Sequence, residues 1–423
     1  MPAPRAPPPG ILTRLMAAWF SAGRGTRGQG PREQRVMLCR ERFSRRRTPA
    51  DGPLAQPHRI AVVTESRSPH HWTTYAPPAA AAILAAALAT GEPPWLLVLS
   101  GVALVAAVLA AVHHAEVIAH RVGEPLGTLV LALAITVIEA TLILALLLAG
   151  GAGMETLARD TVYATVMIIT SGVIGLCTLI GGLAHREQVF RVEGAGGGLA
   201  ALIVLAAITL VLPDFTITTP VGTYSRAQSL FAAAVSATLW GIFVFVQTVR
   251  HRDYFLPVQQ TDDPDVHAEP PSRTAAAVSF VLLAIALVAV VGLAKVLSHP
   301  LEAAVERFHL PRSVVGIAVA MIVLLPETWA AIRAARADRL QSSMNLALGS
   351  ALATIGLTVP VVVVAAIVLD LPLVLGLGPK NIVLLATTLL VCVITVGTGR
   401  TSVMQGAVHL VLFATYLFLA CVP

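Results

Sequence analysis

The sequence predicts an all-α membrane protein of about eleven transmembrane helices, arranged as two inverted-topology repeats. Three observations predict it. The chain of 423 residues is 56% hydrophobic and only 12% charged, where soluble domains run at roughly 45–50% apolar and about 25% charged. After residue 74, apolar runs of spanning length follow one another with short polar breaks. Two of those spans each hold a glutamate near the middle, and each is followed by a span rich in small residues. Composition alone fixes the membrane class before any motif is read.

The elements follow in order. Residues 1–74 carry Pro-Gly runs, the Arg45-Arg46-Arg47 run and no sustained helical period, so they read as a disordered, Arg-rich cytoplasmic head. The short apolar patch at 10–20 lacks a small-residue cleavage site, so no secretory signal is predicted. A bilayer core needs about 20 apolar residues per helix. On that measure the spans fall at approximately 75–92, 94–113, 126–150, 161–184, 195–213, 227–249, 274–296, 313–332, 343–369, 381–398 and 403–422. The domains are then 75–249, an N-terminal half with the first Glu repeat, and 274–423, a C-terminal half with the second. Between them lies a polar linker, 250–273, with Asp262, Asp263, Asp265 and Glu269. That linker reads first as a solvated hinge. A weak cation-attracting or regulatory role is the other reading, although the spacing is not that of an EF-hand. The stretch 297–312 reads as an amphipathic outer connection with Glu302 and Glu306 solvated. His113, His114 and His120 read as plain interface residues flanking a short turn.

Thirteen of the 29 Lys and Arg residues lie in the first 70 positions, which leaves 16 against 19 acids in the remainder. The body therefore offers no broad basic surface, and nucleic acid is excluded as a partner. The partners are the lipid bilayer and transported cations; the sequence carries no signal for oligomeric state. With the head inside, the inner loops carry ten arginines and the outer loops and span ends six basic residues, which favours a cytoplasmic N-terminus. Arginine is used almost to the exclusion of lysine. This points to a GC-rich bacterial genome, and so to the inner membrane. Cys39, Cys177, Cys392 and Cys421 are scattered and predict no metal or redox pair.

Chemistry concentrates in two residues. Glu139 lies twelve residues past Gly127, and Glu327 eleven past Gly316. A charge at a helix centre costs roughly 2.5–3.5 kcal/mol on insertion scales, so it persists where an ion, a proton or a partner compensates it. Such acids mark ion paths more often than not; a protonated structural glutamate would account for one of them, but two in matching settings point to an ion path. The small-residue spans that follow share a pattern, Gly172-Val173-Ile174-Gly175-Leu176 and Ala353-Thr354-Ile355-Gly356-Leu357. Small residues let helices approach closely in lipid. With the two Glu spans running in opposite directions, the site belongs at the midplane between inverted halves. Pro326 removes a backbone donor beside Glu327 and opens the helix at Ile322. Thr136, Thr141 and Ser171 in the first half, and Thr328, Asn345, Ser350 and Thr354 in the second, offer further oxygens. Calcium takes 6–8 oxygen ligands, and without clustered Cys or His a soft-metal site is disfavoured. An emptied pair of buried carboxylates repels and takes up protons, so one site that holds either Ca²⁺ or H⁺ is the physical core of exchange. Monovalent cation/proton antiport on the same carboxylates is the alternative. No span holds a central Asp or a Ser/His pair, so a membrane enzyme is not predicted. A channel ranks lower still, and no cofactor is expected beyond the transported Ca²⁺ and H⁺.

GEPLGTLVLALAITVIEATLI, QTVRHRDYF and VLLPETWAAIRAARADRLQSSMNLALGSALATIGLTVP resemble the bacterial ChaA-type calcium/proton antiporters, of the cation/proton exchanger branch of the calcium/cation antiporter superfamily. The resemblance covers residues 75–423. It implies two inverted repeats whose glutamates, here Glu139 and Glu327, bind cation and protons alternately, with Asn345, Gly349 and Ser350 in the second motif. Where the resemblance leads one to expect Asn-Gly in the first small-residue span, this chain has Ser171-Gly172. Members are also associated with Na⁺/H⁺ and K⁺/H⁺ exchange.

Overall fold

The computed structural model describes residues 71–90, 93–123, 126–149, 154–256, 271–309, 311 and 313–422. The head up to residue 70, and residues 257–270 of the linker with Asp262, Asp263, Asp265 and Glu269, lie outside the described residues, as do the side chains of Glu302 and Glu306. Residues 67–423 form one unit.

Eleven helices among the described residues are long and apolar enough to cross a membrane. They are α1 His71–Thr90, α2 Pro94–Val122, α3 Leu126–Ala149 and α7 Arg273–Arg307, together with α4 Leu157–His185, α5 Val192–Phe215, α6 Arg226–Arg250, α8 Ser313–Arg336, α9 Leu340–Val368, α10 Pro379–Gly397 and α11 Val403–Cys421. The Glu-bearing helices α3 and α8 are five crossings apart, an odd number, so they run in opposite directions and the halves are inverted repeats.

Several boundaries differ from the sequence expectation, each for a packing reason. α1 starts at His71 rather than at 75, and α2 runs on to Val122 with all three histidines inside it. One of them, His114, is buried between Ser279 Oγ (3.2 Å) and the Thr73 carbonyl (3.1 Å), so a polar residue sits within a helix because two neighbouring helices satisfy it. α2 stops at Gly123, whose φ of 75° suits a residue without a Cβ and whose N–H reaches the Ala119 carbonyl. The stretch expected as an outer connection is helical through Arg307, with Pro300 inside α7.

Two packing cores result. One gathers α1, α2, α3 and α7; the other gathers α4, α5, α9, α10 and α11. α8 belongs to both, with Val315, Val319 and Val323 in the first and Ile317, Ala320 and Leu324 in the second. At one end of the bundle, β1 Gln188–Val189 pairs antiparallel with β2 Arg400–Thr401, Gln188 opposite Thr401. This short ladder was not anticipated from sequence. At the other end, residues 374–377 have no helix to satisfy them. Their N–H groups donate instead to the carbonyls of Glu155, Gly222 and Leu210.

Four helices contain a π-helical turn: α4 at Ile168–Val173, α5 at Ala207–Val211, α6 at Val246–Arg250 and α9 at Thr354–Thr358. A hydroxyl bonded to the carbonyl four residues back, or a proline just beyond, displaces the regular ladder. Thr170 and Ser171 donate to the Val166 and Met167 carbonyls, Thr209 to Leu205, and Thr248 to Val244. In α9 the cause is Pro360, which supplies no N–H to Gly356.

Candidate functional site

Glu139 is the fourteenth residue of α3 and only 2% exposed. Its carboxylate receives hydroxyls from two other helices. Thr358 Oγ1 donates to Oε2 at 2.7 Å and Thr354 Oγ1 to the same oxygen at 3.1 Å. From α4, Thr165 Oγ1 reaches Oε1 at 3.5 Å. A hydrogen bond to a charged group contributes about 1.5–3 kcal/mol, enough to offset the cost of one carboxylate at a helix centre. With the ladder of α9 opened before Pro360, Thr354 and Thr358 stand one turn apart on one face and point at α3.

Glu327 lies on α8 directly after Pro326 and is 9% exposed. Both of its carboxyl oxygens are buried and neither has a hydrogen-bond partner. It lies within electrostatic range of Glu139 and also of Glu116. Glu116 is half-buried on α2, with His120 and Arg333 as its charged neighbours. α8 packs along the whole of α4, most extensively on its first half Leu157–Met167, and also against α3. The two glutamates thus come from oppositely running helices, and both are buried.

The other residues singled out in the sequence divide. Thr354 is at the carboxylates. Thr136 is buried but donates to the Ala132 carbonyl of its own helix, and Ser171 likewise donates to Met167; neither hydroxyl is turned toward a carboxylate. Thr141 and Thr328 are half-buried beside the glutamates, two residues and one residue along the chain, and so on other faces of their helices. Gly172 is a packing residue whose missing Cβ leaves room for the Phe413 ring. Gly349 borders open space and Ser350 is half-buried. Asn345 stands apart from the carboxylates. It is bonded to Gln341 and to the Phe255 carbonyl, nine residues and so about 13.5 Å along the helix from Thr354.

Three residues escaped the sequence reading: Thr165, Thr358 and Glu116. Thr358 carried a usable signal, since it follows Thr354 by four residues just before a proline. Thr165 and Glu116 gain their place only through which helices pack together. Among the described residues no three of His, Cys, Asp and Glu form a metal-holding group. The oxygens available are two carboxylates and hydroxyls, the hard donors that suit alkali and alkaline-earth cations rather than soft metals.

Similarity to known proteins agrees with this chemistry. Residues 93–249 and 278–422 match the family described as sodium/calcium exchanger protein. An ionic transporter of Sinorhizobium fredii, y4hA, is 48% identical over 328 residues, 78% of this chain and 89% of its own. The sodium-potassium/proton antiporter ChaA of Escherichia coli is 38% identical over 324 residues, 76% of this chain and 87% of its own. The crystal structure of the H⁺/Ca²⁺ exchanger CAX superposes with a TM-score of 0.63 at 17% identity, covering 82% of this chain and 88% of that one, which shows a shared fold. The chain belongs to the sodium/calcium exchanger protein family, as a ChaA-type cation/proton antiporter of the membrane.

Proposed function

We propose that the protein exports cytoplasmic Ca²⁺ in exchange for external H⁺ through a site shared by Glu139 and Glu327. One observation carries the reading. Two buried carboxylates sit within electrostatic range, one held by three hydroxyls and the other with both oxygens unpartnered. Two negative charges in a low-dielectric region match one divalent cation or two protons, and they repel when neither is present. Glu327 is the natural first receiver, because its oxygens have no donor to displace. The direction rests on a cytoplasmic N-terminus, which the arginine distribution supports.

A second reading, monovalent cation/proton antiport on the same carboxylates, is favoured by the E. coli relative, whose name specifies sodium and potassium. Proton flux in inverted vesicles, driven in turn by Ca²⁺, Na⁺ and K⁺, separates the two. The expected result is saturable Ca²⁺-dependent flux that Na⁺ and K⁺ at equal concentration compete with weakly. Flux that saturates with Na⁺ or K⁺ and ignores Ca²⁺ overturns the calcium assignment.

A further inference from the structure

We propose that Asn345 is a positioning residue rather than an ion ligand. In this proposal it closes a polar latch that couples the segment leaving the first half of the protein, residues 251–256, to the helix that holds Glu139.

Three hydrogen bonds in series make the latch. The Arg191 backbone N–H, at the start of α5, donates to Gln341 Oε1 at 2.6 Å. Gln341 Nε2 donates to Asn345 Oδ1 at 2.8 Å, and Asn345 Nδ2 donates to the Phe255 carbonyl at 2.6 Å. The chain begins at a group that only donates and ends at one that only accepts, so both amide orientations are fixed. Gln341 is 1% exposed, and a buried amide that loses one partner is left unsatisfied.

The far end is a built segment. Beyond α6, the His251 N–H returns to the Val246 carbonyl and Arg252–Tyr254 form one 3₁₀ turn. The His251 ring stacks on Tyr254 at 4.8 Å, and Phe255 packs edge-on to Phe243 at 5.9 Å. The Tyr254 carbonyl lies so close to α5 that a Cβ at Gly194 would stand 2.5 Å from it. The segment, the start of the linker, is thus gripped by α5, α6 and α9 ahead of the linker's acidic residues.

α9 joins the two ends. From Asn345 it runs about 13.5 Å to Thr354 and about 19.5 Å to Thr358, and those two hydroxyls hold Glu139. A packed helix transmits displacement along its axis, so a shift of residues 251–256 reaches Glu139 through one rigid element. The coupling rests on the exchange reading above.

The test uses the full-length chain in proteoliposomes. Asn345→Asp keeps the acceptor for Gln341 and removes the donor to Phe255. Gln341→Leu breaks the same chain one link earlier, and Gly194→Ala pushes on the Tyr254 carbonyl while leaving every polar group intact. Each is expected to lower the maximal exchange rate about tenfold with KM for Ca²⁺ changed less than twofold. The Gln341→Leu, Asn345→Asp double variant is expected to be no slower than either single one. A tenfold change in KM for Ca²⁺ in either direction in Asn345→Asp would make Asn345 a ligand, and a wild-type rate in Gly194→Ala or Asn345→Asp would leave no latch; either overturns the proposal. Amide hydrogen exchange gives a readout independent of transport. Asn345→Asp should speed exchange at 354–358 at least fivefold, and unchanged protection there overturns the latch. A wild-type chain with no cation-driven proton flux sinks the exchange reading instead, and amide exchange still decides the latch.

Discussion

The small-residue helices α4 and α9 each carry a π turn, the one in α9 starting where the one in α4 ends when the two are aligned on their shared motif, and their hydroxyls do opposite things. In α9, Thr354 and Thr358 cross to Glu139. In α4, Thr170 and Ser171 fold back onto their own helix, and no hydroxyl reaches Glu327. Aligning Gly172–Leu176 with Ala353–Leu357 places Val173 against Thr354 and Cys177 against Thr358. The first half has an apolar residue and a thiol where the second has hydroxyls. An inverted repeat therefore does not produce a symmetric arrangement: one carboxylate is held by hydroxyls, and the other, on the exchange proposed above, is the one left to receive the ion or proton.

Replacing each glutamate breaks the comparison most severely. Glu139→Gln and Glu327→Gln are both expected to lower Ca²⁺-dependent proton flux more than a hundredfold while the protein still inserts. Near-wild-type flux in either removes the shared site. Leucine at the same positions separates the halves. Glu327→Leu deletes a buried carboxyl with no partner, which ordinarily costs about 1–3 kcal/mol to keep, and should raise thermal stability by about 1 kcal/mol. Glu139→Leu strands the hydroxyls it accepts from and should lower stability by about 1–2 kcal/mol. Melting of the purified variants in detergent checks the signs, and equal signs would mean the two environments do not differ.

Next in size are the hydroxyls themselves. Thr358 makes the shortest bond to Glu139, so Thr358→Val should raise KM for Ca²⁺ about tenfold, with Thr358→Ser restoring most of it. Supplying a hydroxyl where the first half lacks one tests the converse. Cys177 lies in α4, which packs on α8, and Cys177→Thr should lower KM for Ca²⁺ by about threefold. An unchanged KM in both variants would show that these hydroxyls do not serve the ion.

Much of this was legible in the sequence. The eleven spans, the odd spacing that inverts the halves and the two glutamates all follow from the cost of burying charge and backbone in lipid, a cost large enough to dominate every local preference. What stayed hidden was direction. Thr136, Ser171 and Thr354 look alike as hydroxyls near a glutamate, and only the packing of α3, α4 and α9 decides which one reaches it. Thr165 was missed because its partner lies on a different helix 26 residues earlier. Asn345 was read as an oxygen donor because nothing in a linear pattern shows that its amide is already taken by Gln341 and Phe255.

The smallest expected effect follows from the same argument about direction. Thr136 lies three residues before Glu139, close to the same face of α3, and is buried, so by position it is as good a ligand as Thr354. Its hydroxyl, however, donates to Ala132 at 2.9 Å within its own helix, a local bond that a β-branched apolar residue replaces with little loss. Thr136→Val keeps the shape and deletes only that bond. It should change the maximal rate and KM for Ca²⁺ by less than twofold, measured in the same vesicles as Thr358→Val. If Thr136→Val instead weakened Ca²⁺ as much as Thr358→Val does, the hydroxyl's orientation in this structure would not identify its role. The first half would then contribute ligands by turning Thr136 toward the ion when it binds.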